Sequence, residues 1–445
     1  MPGGNWSAQN KVRPGVYINF NSKKEKGLTI GERGTVAICE PMSWGPVGKI
    51  TEVVAGEDTT PVCGYPVYAT QARFLNEIFK GSDRTAGPSK ILLYRPAASD
   101  AAAATATLGS LTATAIYNGT RGNDITVVVV ADPDTVGTFT VQTIVDGAVV
   151  DSQTGKTVAD LSNNSWVGFT GTGALTANAG VALTGGADGT VNAAAYSTFL
   201  TALEPYRFDI LIYDGSDTTT IAAFQNFVKR MWANEGKYCQ LVAAGQTDPD
   251  SWQIINVKNG VTLNDGTTLT PQQTCWWVGG AQAGAKYNES LTYAKYPAAV
   301  DVSPKLTNSQ TITALQAGEL VMTADNGAVK VEWDIDSFKT YTDQYIEAYH
   351  KNRVIRLLST IANDVYTQFS NEFIGVVNNN EAGRLLFKSV IVGYLLDIQS
   401  NQGIQNFTAE DVEVLPGESI DSIVINIGVT PTDSVEKIYM VITVS

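Results

Sequence analysis

Apolar positions along the chain follow three spacings, and each spacing predicts a different kind of element. Continuous apolar runs come first: "KILLYRP" at 90–96, "FDILIYDG" near 210 and "KYCQLVAAG" near 240 read as strands buried on both faces. Just before the last two, and between them, "AAYSTFLTALEPY" and "TTIAAFQNFVKRMWANEG" read as helices, so the order is β-α-β and Ile91 to Tyr94 belong to the same sheet. From about Leu111 to Leu183 the spacing falls to two, in "ITVVVVADPD" and "GTFTVQTIVDGAVVDSQ", which predicts several short antiparallel strands. From about Ser337 it becomes helical: Val354, Leu357, Ile361, Val365 and Phe369 recur at three and four. Asn379 or Asn380 then offers an N-cap for a second helix with Leu386, Val390 and Tyr394 on one face. Three strand-like runs end the chain: "DVEVLP", "SIVINIGVTP" and "VEKIYMVITVS".

These patterns predict an α/β multidomain protein. An α/β core is interrupted by an inserted all-β domain and followed by an α+β C-terminal domain, with extended N- and C-terminal strand arms. The expected boundaries are 1–21 for the N-terminal arm, 22–96 with 186–336 for the core, 97–185 for a β-sandwich-like insertion, and 337–445 for the C-terminal domain and its arm. A chain of 445 residues exceeds what one core usually serves, which agrees with several domains.

Both ends pose the same problem. Near the start, "RPGVYINF" places Val16, Tyr17, Ile18 and Phe20 in an extended run behind a Pro-Gly step, and the polar stretch that follows contains no hairpin turn. At the end, Ile438, Met440, Ile442 and Val444 share one face of a strand while Tyr439 and Val441 occupy the other. Apolar faces on both sides need cover. Two arrangements supply it: the termini pair within one molecule beside "SIVINIGV", or they add as strands to sheets of other copies.

Composition narrows the chemistry. Thirty Lys and Arg against 44 Asp and Glu give a net charge of −14, the wrong sign for a surface that grips nucleic acid directly. No stretch approaches the ~20 apolar residues of a membrane span, and the N-terminus shows no secretory leader, so synthesis in the cytoplasm is expected. Cys39, Cys63, Cys239 and Cys275 form no C-x-x-C pair and read as buried thiols. A single histidine, His350, borders a helix stripe and is expected to be structural; a two-histidine metal site is impossible. Gly185, Gly186 and Gly189 around Asp188 lack the Lys-Ser/Thr of a phosphate loop and read as a tight linker. The pairs Asp132/Asp134 and Asp248/Asp250 have the composition of turns rather than of a glycosidase acid pair. No catalytic, cofactor or metal residue is expected. A β-rich adhesin or glycan-active protein, and a surface-layer protein, share the Thr- and Gly-rich composition; the second would need an export signal.

The chain resembles the contractile tail-sheath proteins of phages and of phage-tail-like bacteriocins. The resemblance is carried by "RPGVYINF", "ATAIYNGTRGNDITVVV", "LTGGADGTVNAAAYSTFLTALEPYRFDILI", "WVGGAQAGAKYNESLTYAKYPAAVDV", "VKVEWDIDSFKTY", "KNRVIRLLSTIANDVYTQF" and "VTPTDSVEKIYMVITVS", in family order. It implies a non-enzymatic subunit of six-fold rings stacked helically around a tail tube, with tube, baseplate and tail-terminator proteins as partners. It also implies assembly in the bacterial cytoplasm and contraction that drives the tube through a cell envelope. Terminal arms from two copies would add strands to a third copy's C-terminal domain, which would place Val16, Tyr17, Ile18 and Phe20, and Ile438 to Val444, outside their own molecule. The stretch around 140–178 matches the family less well, leaving glycan or receptor binding there open.

Overall fold

The computed structural model describes residues 30, 31 and 33–444 together with the two-residue strands Gly3–Gly4 and Val16–Tyr17, which pair in parallel. Ile18 and Phe20 lie outside the described residues. The chain forms two compact units, one of Gly31–Asn363 with Pro431–Ser445, the other built on Asp364–Thr430.

The first unit is organised on a seven-stranded sheet. Its order is Glu319–Leu320, Ile254–Val257, Gln240–Ala244, Ile210–Tyr213, Thr35–Cys39, Lys90–Tyr94 and Ile50–Val54, parallel throughout except for the last strand. Alternate residues of each strand face opposite layers, which is why the runs are apolar without interruption. Ala37, Leu92, Leu211 and Leu241 meet Phe199 and Phe224 from the helices Ala193–Leu203 and Thr218–Asn234. Ile38, Ile91, Ile212 and Val242 meet Leu75, Ile78 and Trp277 on the other side. Trp277 belongs to the helix Pro271–Gly284, started by Pro at its first turn and by a reciprocal Thr270/Gln273 cap. That helix lies so close to its neighbour that a Cβ on Gly280 would come within 1.9 Å of the Ile78 carbonyl oxygen, so only glycine fits.

At the carboxyl ends of two adjacent strands, Glu40 and Asp214 hydrogen-bond to each other, and the Trp276 indole N–H donates to Asp214 at 2.8 Å. Burial pushes both carboxyls up, and for Glu40 the neighbouring Asp214 charge adds to it. A carboxyl that binds its proton more tightly when folded contributes stability below its unfolded pKa of about 4, and that contribution is lost as pH rises through the folded value. Asp214→Asn removes one titrating group while keeping an acceptor for Trp276. The variant is expected to exceed the parent in stability near pH 8, with the gap closing toward pH 4.5. Urea midpoints at the two pH values measure it; a gap that is constant with pH would refute the assignment.

Residues 105–182 form two antiparallel sheets. One is Ala148–Gly155, Phe139–Val145, Ile125–Ala131 and Asn178–Ala182; the other is Val167–Gly171, Leu111–Ala115 and Thr105–Leu108. The inward residues of both, among them Leu108, Leu111, Val127, Val141 and Val167, share one core. Asp146-Gly147, both with positive φ (52° and 79°), makes the two-residue hairpin turn that matches strand twist. The entering and leaving segments run antiparallel through bridges Ser99–Thr190, Ala102–Ala187 and Thr105–Thr184.

A dense joint ties these sheets to the seven-stranded one. Trp44, from the loop after Thr35–Cys39, is buried in the β core against Trp166 (4.8 Å) and Tyr117 (5.2 Å). Arg121 runs the other way: its Nε donates to the Gly64 carbonyl at 3.0 Å, its guanidinium covers the Tyr65 ring at 4.2 Å, and it pairs with Asp146 at 2.6 Å. Arg95 donates to the Gly45 and Asn118 carbonyls at 2.8 and 2.9 Å.

In the second unit, Phe369, Phe373 and Phe387 stack at 4.9 Å, joining the end of the helix Asn352–Glu372 to the helix Glu381–Ser400. Asn380 is the N-cap, accepting from the Gly383 N–H at 2.8 Å. Val390 and Tyr394 are buried as the spacing requires, but Leu386 is 42% exposed and Phe387 takes the inner position. The antiparallel hairpin Val412–Pro416 with Ile423–Ile427 packs on the same helix through the buried Val412.

Two further expectations differ from the structure. The long helix begins at Asn352, not near Ser337, and His350 sits in a separate 3₁₀ turn, Glu347–His350. The tail "VEKIYMVITVS" forms no strand among the described residues.

Candidate assembly surface

The region with an unmet physical need is the C-terminal tail. Ile438, Tyr439, Met440, Val441, Ile442 and Val444 are each between 74% and 93% exposed. Isolated exposed apolar residues are ordinary, but six in a seven-residue stretch of strand-forming composition leave both faces of a prospective strand in water.

Immediately before this stretch the chain is held firmly. Glu436 is only 9% exposed at its side chain. One of its oxygens accepts from the Thr292 hydroxyl at 2.7 Å, and the other accepts from the Trp333 indole N–H at 2.6 Å and from the Lys351 ammonium. Lys351 also pairs with Asp433 at 3.2 Å and lies 4.8 Å from the centre of the Trp333 ring, with Lys437 over the same ring at 5.3 Å. Thr292 continues inward: its hydroxyl oxygen accepts from the Asp334 N–H at 3.0 Å.

Asp334 is the centre of a buried network. Its carboxylate pairs with Arg356 at 2.9 Å and accepts from Gln282 (2.7 Å), Asn352 (2.9 Å) and the Leu291 N–H (3.0 Å). Burial alone would raise its pKa; Arg356 and these donors outweigh burial and hold it below the usual carboxylate range. The tail root is therefore wired, through Thr292, to one of the most constrained points of the protein.

A second exposed feature lies in the other unit. Among the described residues the hairpin Val412–Pro416 with Ile423–Ile427 is a two-stranded sheet in which each strand has one unpaired edge, and Leu415 and Val424 stand exposed. Asn379 fixes its turn by donating to the Ile420 and Ser422 carbonyls at 2.9 Å.

The remaining candidates have structural employment. His350 is buried, its Nδ1 against the Phe338 carbonyl, with burial lowering its pKa. The Asp134 N–H donates to Asp132 at 2.9 Å, and Asp250 accepts from the Lys339 and Thr340 N–H groups at 2.8 and 3.1 Å while Asp248 pairs with Lys339. Asp188 accepts from the Thr120 N–H at 2.7 Å, and Gly186 donates to Asn123 at 2.8 Å. All four cysteines are free and buried. Among the described residues no group of three or more His, Cys, Asp or Glu could hold a metal, and no helix is long and apolar enough to cross a membrane. Glu436 escaped the sequence reading because its partners at 292, 333 and 351 are distant in the chain.

Comparison with known proteins gives this arrangement a context. Three family descriptions match in succession: the phage tail sheath protein beta-sandwich domain over residues 99–188, the phage tail sheath protein central domain over 189–337, and the phage tail sheath C-terminal domain over 346–445. The sheath tail protein of Desulfitobacterium hafniense is 42% identical with a TM-score of 0.86, the match covering 96% of this chain and 99% of that one. The phage-like element PBSX protein XkdK of Bacillus subtilis is 32% identical over the full length of both chains. The helical sheath of the anti-feeding prophage in its contracted state shares the fold, with a TM-score of 0.59 at 14% identity over 97% of this chain and 99% of that one. The chain belongs to the phage tail sheath protein family, whose members are structural proteins of phage tails and tail-like particles rather than enzymes.

Proposed function

We propose that this protein polymerises in stacked six-fold rings around an inner tail tube by exchanging terminal strands between copies, and that the resulting sheath contracts to drive the tube through a target cell envelope. The observation that carries the reading is the tail: a firmly rooted segment followed by six large apolar side chains with no strand partner among the described residues. The hairpin edges at Val412–Pro416 and Ile423–Ile427 are the proposed acceptor in a neighbouring copy, and Val16, Tyr17, Ile18 and Phe20 are the proposed N-terminal counterpart. Residues 97–185 act as an inserted β domain on the α/β core, and the particle assembles in the bacterial cytoplasm with tube, baseplate and tail-terminator proteins.

Strand addition suits a lattice that changes shape. Each added ladder bond is worth about 1 kcal/mol net, and buried apolar surface adds about 25 cal/mol per Å². Joints of this kind persist while bodies pivot about the segments that tether them, so contraction draws its work from new body-to-body contacts. Electron microscopy of the purified protein tests the proposal: hollow striated cylinders are expected, and discrete globules at high concentration would count against it.

A further inference from the structure

We infer that Glu436 is a retention latch: it keeps the root of the C-terminal arm on its own protomer in the assembled sheath, so that the segment given to the neighbouring copy starts at Ile438. The inference rests on the strand-exchange reading above and specifies where the exchanged strand begins. Upstream of Lys437 the tail is tied by Asp433 and Glu436 to Lys351, Trp333 and Thr292; downstream, every large side chain is in solvent. The change from held to free occurs within two residues.

Three donors from distant parts of the chain, with the nearby Ser434 hydroxyl as a fourth at 3.4 Å, converge on one carboxylate that is almost wholly shielded, and one of them is an ammonium, so the bonds are charge-assisted and among the stronger kinds. Thr292 passes the anchorage on to Asp334, whose N–H it accepts. Losing the latch would free the tail from near Pro431, doubling the tether and lowering the arm's effective concentration at its acceptor. With the latch closed, the seven residues Ile438–Val444 reach about 23 Å when extended at ~3.3 Å each. The acceptor edge of the neighbouring copy must then lie within that radius of the latch.

The test uses the full chain with Glu436→Gln, Lys351→Gln, the double variant, and a chain ending at Lys437. The lowest protein concentration that yields cylinders is read by sedimentation and microscopy, alongside the melting temperature of the unassembled protomer. Glu436→Gln is expected to raise that concentration about threefold, the cost of a doubled tether, with the protomer's melting temperature unchanged. The double variant should assemble no worse than Glu436→Gln, because the two residues act as one unit. The latch is refuted if Glu436→Gln assembles at the parent's concentration, or if its melting temperature falls in step with assembly. If the chain ending at Lys437 still forms cylinders, the strand-exchange reading itself is wrong; if that chain fails while Glu436→Gln succeeds, only the latch is.

Discussion

A chain ending at Lys437 should fold like the parent and form no cylinders at any practical concentration. The six large apolar side chains removed are 74–93% exposed, so their loss takes almost nothing from the protomer. In the proposed lattice the loss is large. Seven residues in an added strand make roughly six backbone bonds at ~1 kcal/mol each, and covering even ~300 Å² of apolar surface contributes about 7–8 kcal/mol per joint. Every subunit supplies such a joint, so the deficit recurs throughout the polymer. Val441→Pro should come close to the truncation, since it deletes one ladder N–H and fixes φ in the middle of the strand. Ile438→Ser with Ile442→Ser, which keeps the backbone and thins one face, should shift assembly to higher concentration without abolishing it. Matching far-ultraviolet circular dichroism and melting curves for all variants would locate the effect in association. Normal cylinders from the truncated chain would exclude the tail as a joint.

The parts of this protein legible in its sequence are those where one short segment carries its own constraint. The runs around Ile91, Ile210 and Leu241 are buried on both faces, so their composition alone indicates a covered parallel sheet, and the structure places them as neighbours of Thr35–Cys39. The same holds for "TIVDGAVV", where Asp146-Gly147 both turns the chain and sets the register Val145–Ala148. Where the constraint comes from elsewhere in the chain, the reading drifts. The segment before Asn352 has helical composition, yet Phe338, Tyr345 and Tyr349 close around Trp252, and Asp250 captures the Lys339 and Thr340 N–H groups. Those contacts hold an irregular backbone that local propensity could not foresee. Leu386 and Phe387 illustrate a smaller version: a one-residue rotation about the helix axis exchanges an inner for an outer position, and the neighbouring Phe369 and Phe373 select the aromatic. Glu436 and Arg121 were invisible for the same reason. Each is an ordinary charged residue whose meaning lies in partners tens to hundreds of residues away.

Arg356→Met should be the most damaging single substitution inside the protomer. Arg356 and Asp334 are 0% and 1% exposed at their side chains, and the guanidinium also donates to Gln282 and, at 2.6 Å, to the Glu289 carbonyl. Methionine fills much of the volume but leaves a buried carboxylate without its cation, and breaking one side of such a pair costs about 3–5 kcal/mol. The sign of the pH dependence separates this from simple packing loss. In the parent, Asp334 titrates below its unfolded value, so its contribution is present above about pH 4 and is lost as pH falls through the folded value. Without Arg356, burial becomes the larger influence and the carboxyl is pushed upward, so the variant's deficit should shrink as acid neutralises it. Replacing both partners, Asp334→Leu with Arg356→Met, should recover part of the loss near neutral pH, although Gln282, Asn352 and the Leu291 N–H then lack an acceptor and limit the recovery. Because Asp334 also holds Thr292, and Thr292 holds Glu436, the single variant should in addition loosen the tail root: protomers still folded at low temperature would need more protein to form cylinders than the parent does. Urea unfolding at pH 5 and pH 8, combined with the assembly threshold, measures both effects, and a pH-independent deficit would show that charge burial is not its cause.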